Sequence, residues 1–146
     1  MPRGFRFSER SQRHLITLDP GLAAVARLAL ERSRVDFTII SARRTRAEQK
    51  RLVEAGKSRT MRSRHLTGQA LDFVHLDPTT GKGRFVRALA LEVAVAFLDA
   101  GVLLNCPVIW GGVWREFEDI PHIEMWRPPK GRPPKGRPLN APKRQQ

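Results

Sequence analysis

SRHLTGQALD, residues 63–72, holds the deciding residues of this 146-residue chain: a polar loop carrying His65 runs into an apolar strand with Asp72 inside it. QALDFVHL (69–76) alternates as a β-strand does and ends at Asp77-Pro78. The period of two sets Asp72 on one face with Ala70 and Val74, and Phe73 on the other. A carboxylate among such neighbours is costly unless it is paired or binds a metal. Gly68 and Ala70 are small, so the loop can fold close against the strand and bring the imidazole toward the carboxylate. Alone, the pair reads more simply as a structural hydrogen bond, because short motifs recur by chance.

A second cluster changes that balance. In EFEDIPHIEMW (116–126), His122 and Glu124 share one face of a short strand whose other face is Ile123 and Met125. Adding His122 to His65 and Asp72 makes three N/O ligands with a fourth position open, the pattern of a catalytic zinc site. Cys106 is the only cysteine, which excludes both an internal disulfide and a thiolate-rich structural zinc site. It reads as a partly buried, apolar-like residue. Asp119 precedes His122 by three residues, with Pro121 stiffening the connection. Outside the ligand set, it is placed to take a proton from water and deliver it to a leaving amine. Glu116 and Glu118 read as surface acids. His75 falls on the face opposite Asp72, as a structural or solvent-exposed residue, and His14 reads as a capping or packing residue. Trp110, Trp114 and Trp126 flank the second cluster as core or rim.

Working outward, residues 1–18 read as an irregular lead-in, with Ser8 and Ser11 as local caps. Asp19-Pro20 opens a helix through LAAVARLALERS, with Leu22, Val25, Ala26 and Leu28 toward the core. DFTIIS (36–41) is a short buried strand. Thr45 and Glu48 form a capping box for a helix that closes at Gly56. Residues 57–68 read as loop. Gly81 and Gly83 mark a turn before a third helix from Arg84 to about Leu104, followed by strands PVIW (107–110) and IPHIEMW (120–126). The expected fold class is α+β: a small, mainly antiparallel sheet packed with about three helices, the zinc site at the sheet. One folded domain is expected to span 1–126.

After Trp126 the composition changes. Residues 127–146 carry seven basic residues, no acidic ones and six prolines, with PPKGR twice in tandem. Such a segment cannot offset its ordering entropy by burial and is expected to be flexible. It is either a solubilising tail or a tether to an anionic envelope surface. Over the whole chain 27 Lys+Arg against 14 Asp+Glu give a formal charge of +13, which points to a polyanionic partner without choosing one. The opening MPRGFRFSER lacks the apolar core of a secretory signal. The longest apolar stretch, Ala88 to Leu104, is broken by Glu92, Asp99 and Gly101, so no transmembrane segment is expected. The chain is therefore expected to be made in the cytoplasm as a monomer.

The two motifs together resemble a zinc peptidase family that includes D-Ala-D-Ala carboxypeptidases, D-Ala-D-Ala dipeptidases and phage L-alanyl-D-glutamate endolysins. SRHLTGQALD follows its S-x-H-x-x-G-x-A-x-D pattern, and DIPHIE its second motif. FRFSERSQRHL and DFTIISARRTRAEQKRLVEAGKS are similar to the endolysin branch, and the likeness runs from about Phe5 to Trp126. It implies one zinc ion on His65, Asp72 and His122, with Asp119 as general acid/base where many relatives have Glu. It implies Arg44 beside the zinc, holding the substrate carbonyl or carboxylate, and Ser63 near the substrate, where it equally reads as a loop-capping hydroxyl. Relatives usually read Ser-Gly-Tyr-Arg or Gly-x-Arg where this chain has Ser41-Ala42-Arg43-Arg44. The expected function is a zinc endopeptidase cutting the peptidoglycan stem peptide at the L-Ala–D-Glu bond, lysing a bacterial host after release through a holin pore. A D,D-carboxypeptidase or dipeptidase is the nearest rival. A basic nucleic-acid-binding protein is a distant one, because charge is generic and two ordered motifs are not.

Overall fold

Ser8 begins the first element. In the computed structural model, which describes residues 4–114 and 118–126, its hydroxyl accepts the Ser11 amide at 3.2 Å and caps helix α1 (Glu9–Leu15). The lead-in is thus not irregular throughout, and the helices number four among the described residues where about three were expected. Helix α1 escapes a periodicity search because it is one short, mostly charged stretch, stabilised by docking more than by propensity. Its Ser11 is fully buried, and the hydroxyl accepts the Ile39 amide at 3.0 Å. The Pro/Lys/Arg-rich tail and Glu116 lie outside the described residues.

Helix α2 (Pro20–Arg32) starts as its sequence requires, with Asp19 Oδ1 accepting the Gly21 amide at 2.9 Å and Pro20 in the first turn. Leu22, Val25, Ala26, Ala29 and Leu30 are buried, while Leu28 sits half-buried on the flank of that stripe. Helix α3 (Arg46–Glu54) is capped by Thr45, whose hydroxyl accepts the Glu48 amide at 3.1 Å. The remaining helix, α4 (Arg87–Leu103), begins three residues later than expected. Gly83–Arg84 pair with a strand instead, and the Val86 amide at the helix entrance donates to His75 Nε2 at 2.9 Å. His75 is buried and structural.

The strands are β1 (Phe37–Ser41), β2 (Ala70–Leu76), β3 (Gly83–Arg84), β4 (Val108–Trp110) and β5 (His122–Met125). They form one sheet in the order β1-β2-β5-β4, with β3 also against β2, and every pairing is antiparallel. Phe37 and Phe73 meet Phe97 of α4, with ring centroids 5.3 and 5.8 Å from it. Each such buried ring contributes on the order of 1.5–3 kcal/mol. Because Phe73 is committed to the helical layer, its neighbour Asp72 projects to the opposite face. The core therefore decides where the chemistry lies.

Candidate active site

Register brings the first two polar groups together. Asp72 of β2 stands directly opposite His122 of β5, and cross-strand partners share a face. Asp72 Oδ1 is 3.3 Å from His122 Nδ1. His65 reaches the same oxygen from a short 3₁₀ turn, Arg64–Thr67, its Nε2 also at 3.3 Å. That turn ends at Gly68, whose φ is +72° and whose carbonyl accepts the Asp19 amide at 2.8 Å. A Cβ there would lie 2.8 Å from the Thr17 carbonyl, so only glycine lets the loop pass so close. At the start of the turn the Ser63 hydroxyl accepts the His65 amide at 3.2 Å, a capping role.

Both imidazoles are held by acceptors behind them. His65 Nδ1 lies 2.6 Å from the Ala42 carbonyl, which requires the proton on Nδ1 and leaves a lone pair on Nε2. That Nε2 is buried and has no hydrogen-bond partner. His122 Nε2 faces Glu124 Oε1 at 3.0 Å, which frees Nδ1 to face Asp72. Glu124 is held in turn by Arg64, Nε to Oε2 at 2.8 Å. Back-side acceptors of this kind fix the tautomer of a metal-ligating histidine.

The donor set fits a metal ion. One atom each of His65, Asp72 and His122 lie within 4.8 Å of one another. Ligand atoms about 2.1 Å from a tetrahedral zinc are about 3.4 Å apart, close to the two 3.3 Å separations on Asp72. Two imidazole nitrogens and a carboxylate oxygen are among the usual ligands of zinc, a borderline-soft ion. In the metal-free chain a proton occupies the same space. Burial pulls the His122 pKa down, but hydrogen bonds to Asp72 and Glu124 outweigh it and raise the value to about 9. Burial opposes the charge on Asp72, but the hydrogen bond from His122 and the nearness of both imidazoles outweigh it, holding the carboxyl well below its usual range.

Around this centre opens a cleft of about 440 Å³, lined by Arg44, Lys57, Arg62, Trp114 and Asp119 among others. Arg44, not Arg43, faces it. Arg44 Nη2 binds Asp72 Oδ2 at 2.8 Å, Nη1 binds Gln49 Oε1 at 3.1 Å, and Nε binds Ser41 Oγ at 3.3 Å. Asp119 Oδ2 stands 3.9 Å from His122 Nδ1. Its backbone amide donates to Gly111 O at 3.0 Å, and a Cβ on Gly111 would lie 2.4 Å from the Asp119 carbonyl. Burial, then the charge of Asp72, raises the Asp119 pKa above the usual carboxylate range, against the pull of His122, His65 and Arg44. A carboxyl raised in this way holds a proton more readily than an exposed one, as a group that accepts and returns a proton must.

Residues 3–125 match the family described as phage L-alanyl-D-glutamate peptidase. The chain belongs to that family. It is 42% identical over 119 residues to the L-alanyl-D-glutamate peptidase of Escherichia phage T5, covering 79% of this chain and 85% of the relative. It is 34% identical over 123 residues to the enzyme of the same name from Listeria phage A118, covering 81% of this chain but 41% of that longer protein. Among solved structures it resembles the Serratia marcescens L-Ala D-Glu endopeptidase ChiX, with a TM-score of 0.76, 36% identity and coverage of 84% of this chain and 91% of that one.

Within this phage peptidase fold, His65, Asp72, His122, Asp119, Arg44 and Ser63 all line one cleft. Trp110 is core, its Nε1 donating to the Ile120 carbonyl, whereas Trp114 packs on the His122 ring with centroids 5.1 Å apart. Glu118 is an exposed acid paired with Arg87. Sequence reasoning missed Gln49, the one fully buried residue of α3. An uncharged polar side chain on a helix of charged residues was the available signal. It also gave Glu124 no role, although its position two residues after His122 on one strand face placed it there.

Proposed function

We propose that this chain is a zinc-dependent peptidoglycan endopeptidase that hydrolyses the stem peptide at the L-Ala–D-Glu bond. The observation that carries the reading is the convergence of His65, Asp72 and His122 from a loop and two strands, with Asp119 beside them. When bound there, the ion supplies Lewis acidity, polarising a scissile carbonyl and making water easier to deprotonate.

This chain's residues do the rest. Asp119, kept partly protonatable by burial, takes the proton of the attacking water and hands it to the departing amine of D-Glu. Arg44 has three N–H groups committed to Ser41, Gln49 and Asp72, and its remaining N–H groups support the oxygen that gains charge. Asp72 holds both imidazoles at one oxygen, and Glu124 and the Ala42 carbonyl keep their tautomers. Trp114 shields His122 from water on one side.

In the cell the target is the wall of a bacterial host, reached from the cytoplasm through a holin pore, with the enzyme acting as a monomer. Among the described residues no helix is long and apolar enough to cross a membrane. The basic segment 127–146 serves as a tether to envelope anions. The test is mass spectrometry of digested muropeptides beside lysis of outer-membrane-stripped cells, with and without chelator. New N-terminal D-Glu that disappears on chelation is the expected product. Free D-Ala instead would assign the chain to terminal trimming.

A further inference from the structure

The cleft contains more cationic groups than its catalytic arrangement uses. Arg44 is held by Asp72, Gln49 and Ser41, and Arg64 by Glu124 and the Met125 carbonyl. Lys57 and Arg62 line the same cleft, are exposed, and make no side-chain hydrogen bond or ion pair among the described residues. The acids of the cleft are already engaged: Asp72 with Arg44 and the imidazoles, Glu124 with Arg64 and His122, and Asp119 beside His122. Uncompensated positive charge at the mouth of a cleft recruits an anionic ligand.

The loop that carries these two side chains is anchored. Gln49 Nε2 donates to Ser58 Oγ at 2.9 Å and to the Thr60 carbonyl at 2.7 Å, while Gln49 Oε1 receives Arg44. One buried amide therefore ties the 58–60 loop to the guanidinium that orients Asp72. The backbone on either side of that anchor, which carries Lys57 and Arg62, is thereby held beside the reacting centre.

We propose that Lys57 and Arg62 form the subsite for the free carboxylate of the glutamate residue on the leaving side of the scissile bond. This rests on the endopeptidase reading above. A glutamate in a peptide uses one carboxyl for its onward bond and keeps the other, so a negative charge lies within one residue of the cut. Arg62 meets it with a planar two-donor fork and Lys57 with a point charge. The subsite thereby selects stem peptides whose glutamate is not amidated.

Binding is measured by calorimetry on the zinc-loaded 146-residue chain carrying Asp119→Ala, so that peptide is not consumed. The probes are L-Ala-D-Glu-L-Lys and the same tripeptide with the glutamate's free carboxylate converted to the amide. The acid is expected to bind about tenfold more tightly, the size of one charge-assisted hydrogen bond. Lys57→Met with Arg62→Gln removes that preference, and the swap Lys57→Arg with Arg62→Lys restores most of it. Equal binding of acid and amide, or a preference that survives the double substitution, overturns the proposal. Cleavage is followed separately in the chain with Asp119 intact. An acid preference without any cut at the L-Ala–D-Glu bond would refute the assigned reaction and leave the subsite standing.

Discussion

Arg44 Nη2 meets Asp72 Oδ2 at 2.8 Å, and this pairing divides the work of the carboxylate. Oδ2 belongs to the guanidinium, so Oδ1 alone faces His65 and His122, each at 3.3 Å. Both partners are mostly buried, with side-chain exposures of 17% and 14%, so solvent does little to screen the pair. Asp72 is thereby left with one oxygen, Oδ1, toward the two imidazoles.

Arg44→Gln is expected to cost more in metal affinity than in folding. The glutamine can still reach one neighbour but leaves Asp72 free to swing, and losing such an outer partner weakens metal binding by about 10–100-fold. Zinc affinity by competition with a chromophoric chelator, beside thermal melting, separates the two effects. An unchanged zinc affinity would dismiss the orienting role.

Zinc binding is expected to depend on pH through His122. Its pKa in the metal-free fold is raised from 6.5 to about 9, so the proton stabilises the metal-free chain fully below 6.5. That contribution is lost as pH rises through about 9. Zinc competes for the same Nδ1, so its apparent affinity rises by about tenfold per pH unit across this interval, one proton leaving per ion. The melting temperature gained on adding zinc should be small at pH 6 and larger at pH 8.5. Proton release measured in two buffers of different ionisation enthalpy counts the proton directly, and a count of zero would remove His122 as a ligand.

Asp119→Asn is expected to lower kcat by about 10²–10⁴-fold, the usual worth of a positioned acid/base. Zinc content should stay at one ion per chain, because Asp119 stands 3.9 Å from His122 and outside the three-residue donor group. Turbidity clearing with metal analysis in parallel reads both. Retained lysis would pass the proton-transfer role to another group.

Much of this site was legible because its chemistry is costly in plain sight. Asp72 inside an apolar strand needs a reason, and the second motif offers His122, but the register that sets the two opposite each other is seen only in the fold. Helices α2 and α3 announce themselves through Asp19-Pro20 and through Thr45 with Glu48. Helix α1 does not, since its stability comes from Ser11 docking on the β1 edge, a tertiary contact with no local signal. The two-residue strand β3 is likewise defined only by its partner, and it delays α4 to Arg87. Arg43 and Arg44 look alike in a string of letters. Only the irregular register between Ile39 and Ser41 and the capture of Arg44 by three acceptors tell them apart.

Gln49→Ala tests whether the 58–60 loop and Asp72 are coupled through one side chain. Gln49 is fully buried, accepts from Arg44, and donates to both Ser58 and Thr60. Truncation leaves the Thr60 carbonyl and one Arg44 N–H without their partner, at a cost of about 1–3 kcal/mol. If the amide only stabilised the fold, the melting temperature would fall while kcat/KM at a permissive temperature stayed near wild type. Coupling predicts a second loss, because Arg44 and the Lys57–Arg62 loop are both released. At 20 °C, with the chain fully folded by circular dichroism, KM is expected to rise and zinc affinity to fall together. Gln49→Glu sharpens the test: its carboxylate still accepts from Arg44 but cannot donate to Ser58 and Thr60, so zinc affinity should be kept while KM still rises.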